Sequence, residues 1–271
     1  MGKHLLSRLT WVEAREAAAR KRVIILPVGT LENQSLHNLL GYDAIVAERL
    51  GEATALRTGS LLAPTIPYGC SQMFRHYPGG VLWRFETLVA VLQDTVTSFR
   101  RHGFTHILLL NNHFPNEPAV EVVARELRAT DGTLIASIIP HKLARDLSKD
   151  LYVGHADAVV HGADPGTSLM LYLAGEDMRM DAAQKVRART LQGFEIETPN
   201  SVKFQQSTVN LYMDMQDMHP FGGTGDALFA SRDKGETIFN RMVEFVAAFI
   251  EQFKKMDPRA RTEVSDRQPS G

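Results

Sequence analysis

Two clusters of residues in this chain have the makings of a metal site. The first, Glu32-Asn33-Gln34 with His37 and Asp43, follows the apolar run Val23-Ile24-Ile25-Leu26-Pro27-Val28-Gly29. The second, Asn111-Asn112-His113-Phe114-Pro115-Asn116, follows the apolar run Ile107-Leu108-Leu109-Leu110. Two carboxylates and an imidazole can hold zinc, manganese or iron and leave positions for water and substrate. Each residue also has a plain structural reading: Glu32 as a solvated loop acid, Asp43 as a helix N-cap, His113 as a loop or helix-cap residue. Spacing alone does not choose between the two.

The elements that must position these residues are legible from periodicity. Both apolar runs read as short buried strands, and in open α/β sheets ligands bind beyond the carboxyl ends of the strands. Thr10 with Glu13 makes a capping box for a helix running to about Arg20. Asp43 to about Arg57 has helical periodicity, with Gly59 as its stop. Leu61-Leu62-Ala63-Pro64 is a weak strand, and Tyr68 to Gly80 a loop rich in glycine and aromatics. An amphipathic helix is predicted from Glu86 to about His102, before Gly103. Pro115 suits the first turn of another, ending near Ala129. Thr133 to Pro140 reads as a strand, Asp164 to about Ala174 and Asp233 to about Lys255 as helices. Alternating strands and helices imply an α/β fold with a mostly parallel sheet flanked by helices. Met178 to Met218 lacks clear periodicity and reads as irregular excursions or partner contacts. The expected organisation is one domain over residues 1–256 and a disordered polar tail over 257–271.

Composition narrows the function. Of 271 residues, 44% are hydrophobic and 23% charged, as in soluble globular proteins, and the formal net charge of −1 argues against a general nucleic-acid binder. No apolar run approaches the roughly 20 residues that span a bilayer, and the first residues do not read as a signal peptide. Cys70 is the sole cysteine, so no internal disulfide is possible. A reducing, cytoplasmic setting is expected.

A set of motifs then adds a resemblance. Leu26-Pro27-Val28-Gly29-Thr30-Leu31-Glu32-Asn33-Gln34-Ser35-Leu36-His37 resembles the pattern L-P-x-G-S/T-x-E-Q-H-G-P-H of the creatininase family, and Asp43 follows at the family's interval. Tyr68-Gly69-Cys70-Ser71 and His76-Tyr77-Pro78-Gly79-Gly80 resemble Y-G-x-S and H-x-F-P-G-T. Asn111-Asn112-His113-Phe114-Pro115-Asn116 resembles N-G-H-x-x-N. His161-Gly162-Ala163 with Thr167-Ser168 resembles H-A-G-x-x-E-T-S, and Gly225-Asp226 with Ala230 to Gly235 resembles a late G-D/N-P-x-x-A-S/T-x-x-K-G. Order and spacing hold from about residue 20 to 250. The resemblance implies a three-layer α/β/α fold, often a hexamer. It also implies hydrolysis of amide C–N bonds by water held between two metal ions. Members act on cyclic amidines, on formamides in flavin-type cofactor synthesis and on a peptide in redox-cofactor maturation. By the same resemblance Glu32, Asp43 and His113 are metal ligands, and His161 lies near the active site, where it could move a proton.

The chain departs from the pattern at the second metal. Gln34 stands for a histidine, Pro115 for a glutamate of creatininase itself, and Gly166 for the glutamate of E-T-S. An amide is a weaker transition-metal ligand than imidazole, and Pro115 and Gly166 offer none. One well-held divalent ion is therefore expected, unless His37, His76, His155 or Asp157 compensates. Val160 stands where creatininase has a glutamate, which weakens any transfer of creatinine specificity. Cys70 reads as an inert buried thiol rather than a nucleophile. Arg75 and Arg84 read as solvated or subunit-contact residues before anion binders. Met213, Met215 and Met218, near Phe221, read as packing or oligomer contact. The leading expectation is a metal-dependent hydrolase of a small amide, lactam or cyclic amidine, working as a homo-oligomer. The alternatives are a mononuclear-metal isomerase, epimerase or lyase on a sugar-like substrate and, behind both, a non-catalytic subunit.

Overall fold

The computed structural model describes residues 3–155, 160–186, 190–257 and 259. In chain order the main elements are α1 (Trp11–Ala19), β1 (Ile24–Val28), α2 (Tyr42–Thr58), β2 (Leu61–Leu62), α3 (Phe85–Arg101), β3 (Ile107–Asn111), α4 (Glu117–Asp131), β4 (Ala136–Ile138), α5 (Pro140–Asp146), α6 (Gly166–Ala174), β5 (Thr190–Leu191), β6 (Phe194–Thr198), β7 (Ser201–Phe204), β8 (Ser207–Asn210), α7 (Met215–Met218) and α8 (Arg232–Phe253).

The first four strands form a parallel sheet in the order β2-β1-β3-β4. Side chains of a strand alternate between faces, and a parallel sheet is covered on both. Ile24, Leu26, Val28, Ile107 and Leu109 pack on one side with residues of α1, α3 and α4. Ile25, Leu108 and Leu110 pack on the other with residues of α2, α6 and α8. The result is the expected three layers. Local signals set the element ends: Thr10 and Glu13 form a complete capping box, and α2 stops at Gly59 with φ 69°. Only glycine takes that left-handed backbone without steric cost.

One register matters for function. β1 and β3 run side by side with Val28 opposite Asn111. The loop carrying Glu32 and the loop carrying His113 therefore leave the sheet from adjacent points at its carboxyl edge.

Four expectations need correction. Pro115 does not open α4. It lies in a separate 3-10 turn, Phe114–Asn116, and α4 starts at Glu117 with Pro118 in its first turn. The tight turn lets the Asn116 side chain donate to Gly29 O at 3.1 Å and accept from the Cys70 N–H at 2.8 Å. The strand predicted over Thr133 to Pro140 is only Ala136–Ile138, and Pro140 begins helix α5 instead. The stretch from Met178 to Met218 holds a second, antiparallel sheet, in the order β5-β6-β7-β8. Its strands are mostly exposed on both faces, β8 at all four residues, so no alternation marks them. Finally, Asp43 is not a cap: it is the second residue of α2, which begins without a side-chain cap. Apart from Asp257 and Arg259, the tail expected over 257–271 lies outside the described residues, as does Asp157. Among the described residues no helix is long and apolar enough to cross a membrane.

Candidate metal centre

Glu32, Asp43 and His113 converge at the carboxyl edge of the parallel sheet. All three are buried, and one ligand atom from each can be chosen so that all lie within 4.8 Å of one another. His113 sits between the acids, with Nε2 3.2 Å from Glu32 Oε2 and Nδ1 3.3 Å from Asp43 Oδ2. Three close approaches build this. Gly29 ends the strand where α2 begins: a Cβ there would lie 2.5 Å from Ala44 N, so only glycine lets the first turn of α2 bring Asp43 in. Gly69 gives way to the Asn116 side chain, whose Oδ1 would sit 2.3 Å from a Cβ. The Gly69 loop in turn delivers Ser71, which donates to Glu32 Oε2.

The polar surroundings hold the acids in place. Gln34 Nε2 donates to Glu32 Oε1 at 3.2 Å, Asn112 Nδ2 donates to Asp43 Oδ1 at 3.0 Å, and Thr30 Oγ1 lies 2.8 Å from Ser71 Oγ. His113 Nε2 also lies 2.9 Å from the Cys70 carbonyl oxygen. Burial, opposed by the His113 charge, pushes the Glu32 carboxyl up to about 8. Burial raises Asp43 as well. Burial acts against the His113 charge, yet Glu32 and Asp43 outweigh it and lift the imidazole to about 9.

A divalent ion fits this donor set. Bonds of about 2.0–2.1 Å place the ligand atoms of one ion roughly 3–4 Å apart; one donor atom from each residue can be chosen within 4.8 Å of the others, and His113 turns a different ring nitrogen to each acid, of which an ion takes one. Asp43 Oδ2 is enclosed and faces His113 Nδ1 at 3.3 Å without a well-formed hydrogen bond, which leaves it lone-pair capacity for an ion. Among the described residues a second ion finds no such set. The Gln34 amide is turned to Glu32, Pro115 has no ligand atom, and a Cβ on Gly166 would meet the Tyr42 ring and hydroxyl at 3.1 Å. The Tyr42 phenol occupies the space into which a longer side chain at 166 would grow.

The other candidates lie elsewhere. His37 Nε2 pairs with Thr167 Oγ1 at 2.9 Å, His76 Nε2 lies 3.1 Å from Asp214 Oδ2, and the His155 ring stacks on Phe229 at 4.1 Å. None joins the triad. Cys70 is buried with its thiol pushed up, by burial and then by Glu86. Arg75 pairs with Asp214 at 2.5 Å, and Arg84 is exposed at the start of α3. Met213, Met215 and Met218 form a small core with Phe74, Ile196 and Val202, whereas Phe221 is exposed.

The triad lines a cavity of about 1120 Å³ together with His161, Tyr42, His141 and Arg145 and with Ile196, Glu197 and Thr198 of β6. His161 Nε2 donates to Asn33 O at 3.1 Å, and burial lowers its pKa to about 4. Asn112, Ser71, Tyr42 and His141 were not among the expected site residues. Asn112 and Ser71 lie inside the quoted motifs, but Tyr42 and His141 carry no motif at all.

A family model described as creatinine amidohydrolase matches residues 7–250. The creatinine amidohydrolase of Pseudomonas putida is 25% identical over 266 residues, covering 91% of this chain and 96% of that protein. The 3-dehydro-scyllo-inosose hydrolase of Thermotoga maritima is 33% identical over 107 residues, 39% of this chain and 34% of that protein. A solved manganese creatininase superposes with a TM-score of 0.75 at 25% identity, covering 93% of this chain and 99% of the other. With the model matched over nearly its whole length, the chain belongs to the creatininase family of enzymes.

Proposed function

We propose that this protein is a metal-dependent hydrolase that cleaves a C–N bond of a small amide, lactam or cyclic amidine, using one divalent ion. The observation that carries this is the buried triad of Glu32, Asp43 and His113 lining a cavity of about 1120 Å³. When bound, a divalent ion lowers the pKa of water toward neutrality and polarises a carbonyl. The chain's own residues do the rest. Glu32, Asp43 and His113 hold the ion, while Ser71, Gln34 and Asn112 aim the acids. His161 spends its Nε2–H on Asn33 O, which leaves Nδ1 to accept a proton from the attacking water and pass it to the leaving nitrogen. A pKa lowered to about 4 keeps this ring neutral beforehand and makes it release the proton readily.

The test is substitution. Asp43→Ala or His113→Ala is expected to abolish both metal content and turnover while circular dichroism stays native. Full activity in a metal-free preparation overturns the reading. One observation favours a second reading, a mononuclear-metal isomerase, epimerase or lyase: with Gln34, Pro115 and the Tyr42-filled space beside Gly166, no second ligand set stands among the described residues. Turnover in heavy-oxygen water separates the two, because hydrolysis labels the product. The proposal includes a homo-oligomer located in the cytoplasm. The exposed apolar side chains of the small sheet and its exit, Phe204, Val209 and Tyr212, support an association surface.

A further inference from the structure

Every acid lining the cavity outside the triad is already engaged. Asp214 pairs with Arg75 and His76, Glu197 accepts from Thr208 Oγ1 at 2.7 Å, and Asp217 accepts from the Asp214 N–H at 2.8 Å. One lining cation makes no close pair with any of them. Arg145 of α5 lines the cavity, and its guanidinium makes no hydrogen bond or close ion pair among the described residues, though its charge helps lower the neighbouring Asp146 carboxyl. One turn earlier on the same helix stands His141, and residues four apart share a face.

The His141 ring is held edge-on by two aromatics, Tyr42 at 6.3 Å and Phe114 at 5.8 Å between centroids. Tyr42 Oη lies 3.0 Å from Nδ1, and the Asn112 side chain also acts on the phenol. With Tyr42 as the donor, Nδ1 accepts. Burial, with the nearby Arg145 charge, holds the ring's pKa down to about 3, so it is neutral and its single proton sits on Nε2. That N–H has no partner among the described residues and belongs to a side chain that lines the cavity.

We propose that His141 Nε2–H and the Arg145 guanidinium together hold a carboxylate of the substrate, so that the molecule cleaved is an acidic amide. A neutral N–H and a fixed cation one helical turn apart give a carboxylate two donors, one of them charge-assisted. Tyr42 is the positioning residue that selects the tautomer. The word "amide" rests on the hydrolase reading above; the carboxylate rests on this wall alone.

The test uses the zinc-loaded protein with heavy-nitrogen-labelled histidines. It is titrated with N-acetylglycine, which carries an amide and a carboxylate, and separately with uncharged N-acetylglycinamide. The His141 Nε2–H resonance is expected to move with the acid and not with its uncharged counterpart. Arg145→Gln and His141→Leu are each expected to weaken N-acetylglycine by about tenfold or more, whereas His141→Gln, which keeps an N–H donor, stays within about threefold. Tyr42→Phe is expected to shift the imidazole nitrogen signals toward the other tautomer with zinc content unchanged. Equal response to both probes, no response to either, or an Arg145→Gln variant that binds like the parent overturns the proposal. Zinc is measured in every sample. Retained zinc with failed discrimination sinks the carboxylate arm alone, whereas a protein that takes up no zinc sinks the hydrolase reading.

Discussion

Asn112 donates from Nδ2 to Asp43 Oδ1 at 3.0 Å, while the other Asp43 oxygen, Oδ2, faces His113 Nδ1 at 3.3 Å without a well-formed hydrogen bond. The amide thus fixes the carboxylate and leaves one oxygen for an ion. Partners of this kind commonly contribute about 10–100-fold to metal affinity. Asn112→Ala is expected to weaken zinc or manganese by that factor without unfolding the protein. Chelator competition measures it, and parental affinity would show that Asn112 does not orient the ligand.

The pH dependence of metal binding follows from Glu32. Its carboxyl titrates at about 8 in the folded, metal-free protein, against an ordinary 4.5. The folded state therefore binds this proton more tightly than the unfolded chain. That contribution to stability is fully present below 4.5 and is lost as pH rises through about 8. An ion must displace the same proton, and that of His113, which leaves only near 9. The rise in melting temperature on adding zinc is expected to be small at pH 6 and to widen steadily to pH 8. A gap that narrows over this window contradicts the assignment.

Gly29 links backbone geometry to the site. A Cβ there would lie 2.5 Å from Ala44 N and 2.9 Å from the Asp43 carbonyl carbon, backbone atoms that cannot swing aside. Gly29→Ala is expected to push α2 off the end of β1, to destabilise the fold by about 1–3 kcal/mol, and to weaken metal beyond what stability loss explains. Gly59→Ala, with open space around it but φ 69°, serves as the contrast: it should cost about 1 kcal/mol and leave metal affinity alone. Denaturant melts and metal titration of the two variants separate the effects.

His161 supplies a kinetic prediction. His161→Ala is expected to lower kcat by roughly 10²–10⁴-fold with metal content unchanged. Its folded pKa of about 4 lies below the ordinary 6.5, so its stability contribution is full above 6.5 and lost only as pH falls through about 4. The ring does not titrate between pH 6 and 8, and a rate limb in that range should persist in the variant. Loss of metal in His161→Ala would make it a structural residue instead.

Much of the frame was legible before any coordinates. The runs from Ile24 and Ile107 are apolar at every position, as strands covered on both faces must be, and Thr10, Glu13 and Gly59 mark helix ends through local backbone chemistry. The resemblance to the creatininase pattern, rather than spacing alone, pointed to Glu32, Asp43 and His113. It also marked Gln34, Pro115 and Gly166 as poor ligands. The antiparallel sheet escaped because strands exposed on both faces leave no periodic signature. Pro115 was misplaced because proline suits a 3-10 turn as well as a helix start, and the choice was made by Asn116 reaching Gly29 and Cys70 across the fold.

Residue types and their local spacing decided which segments become strands and helices and which side chains carry chemistry, since both depend on interactions within a few residues. Tertiary packing alone decided that Val28 lies beside Asn111, that His113 falls between two acids from another loop, and that Tyr42 meets His141. These contacts join residues far apart in the chain, and sheet register and helix docking, not local preference, set their distances.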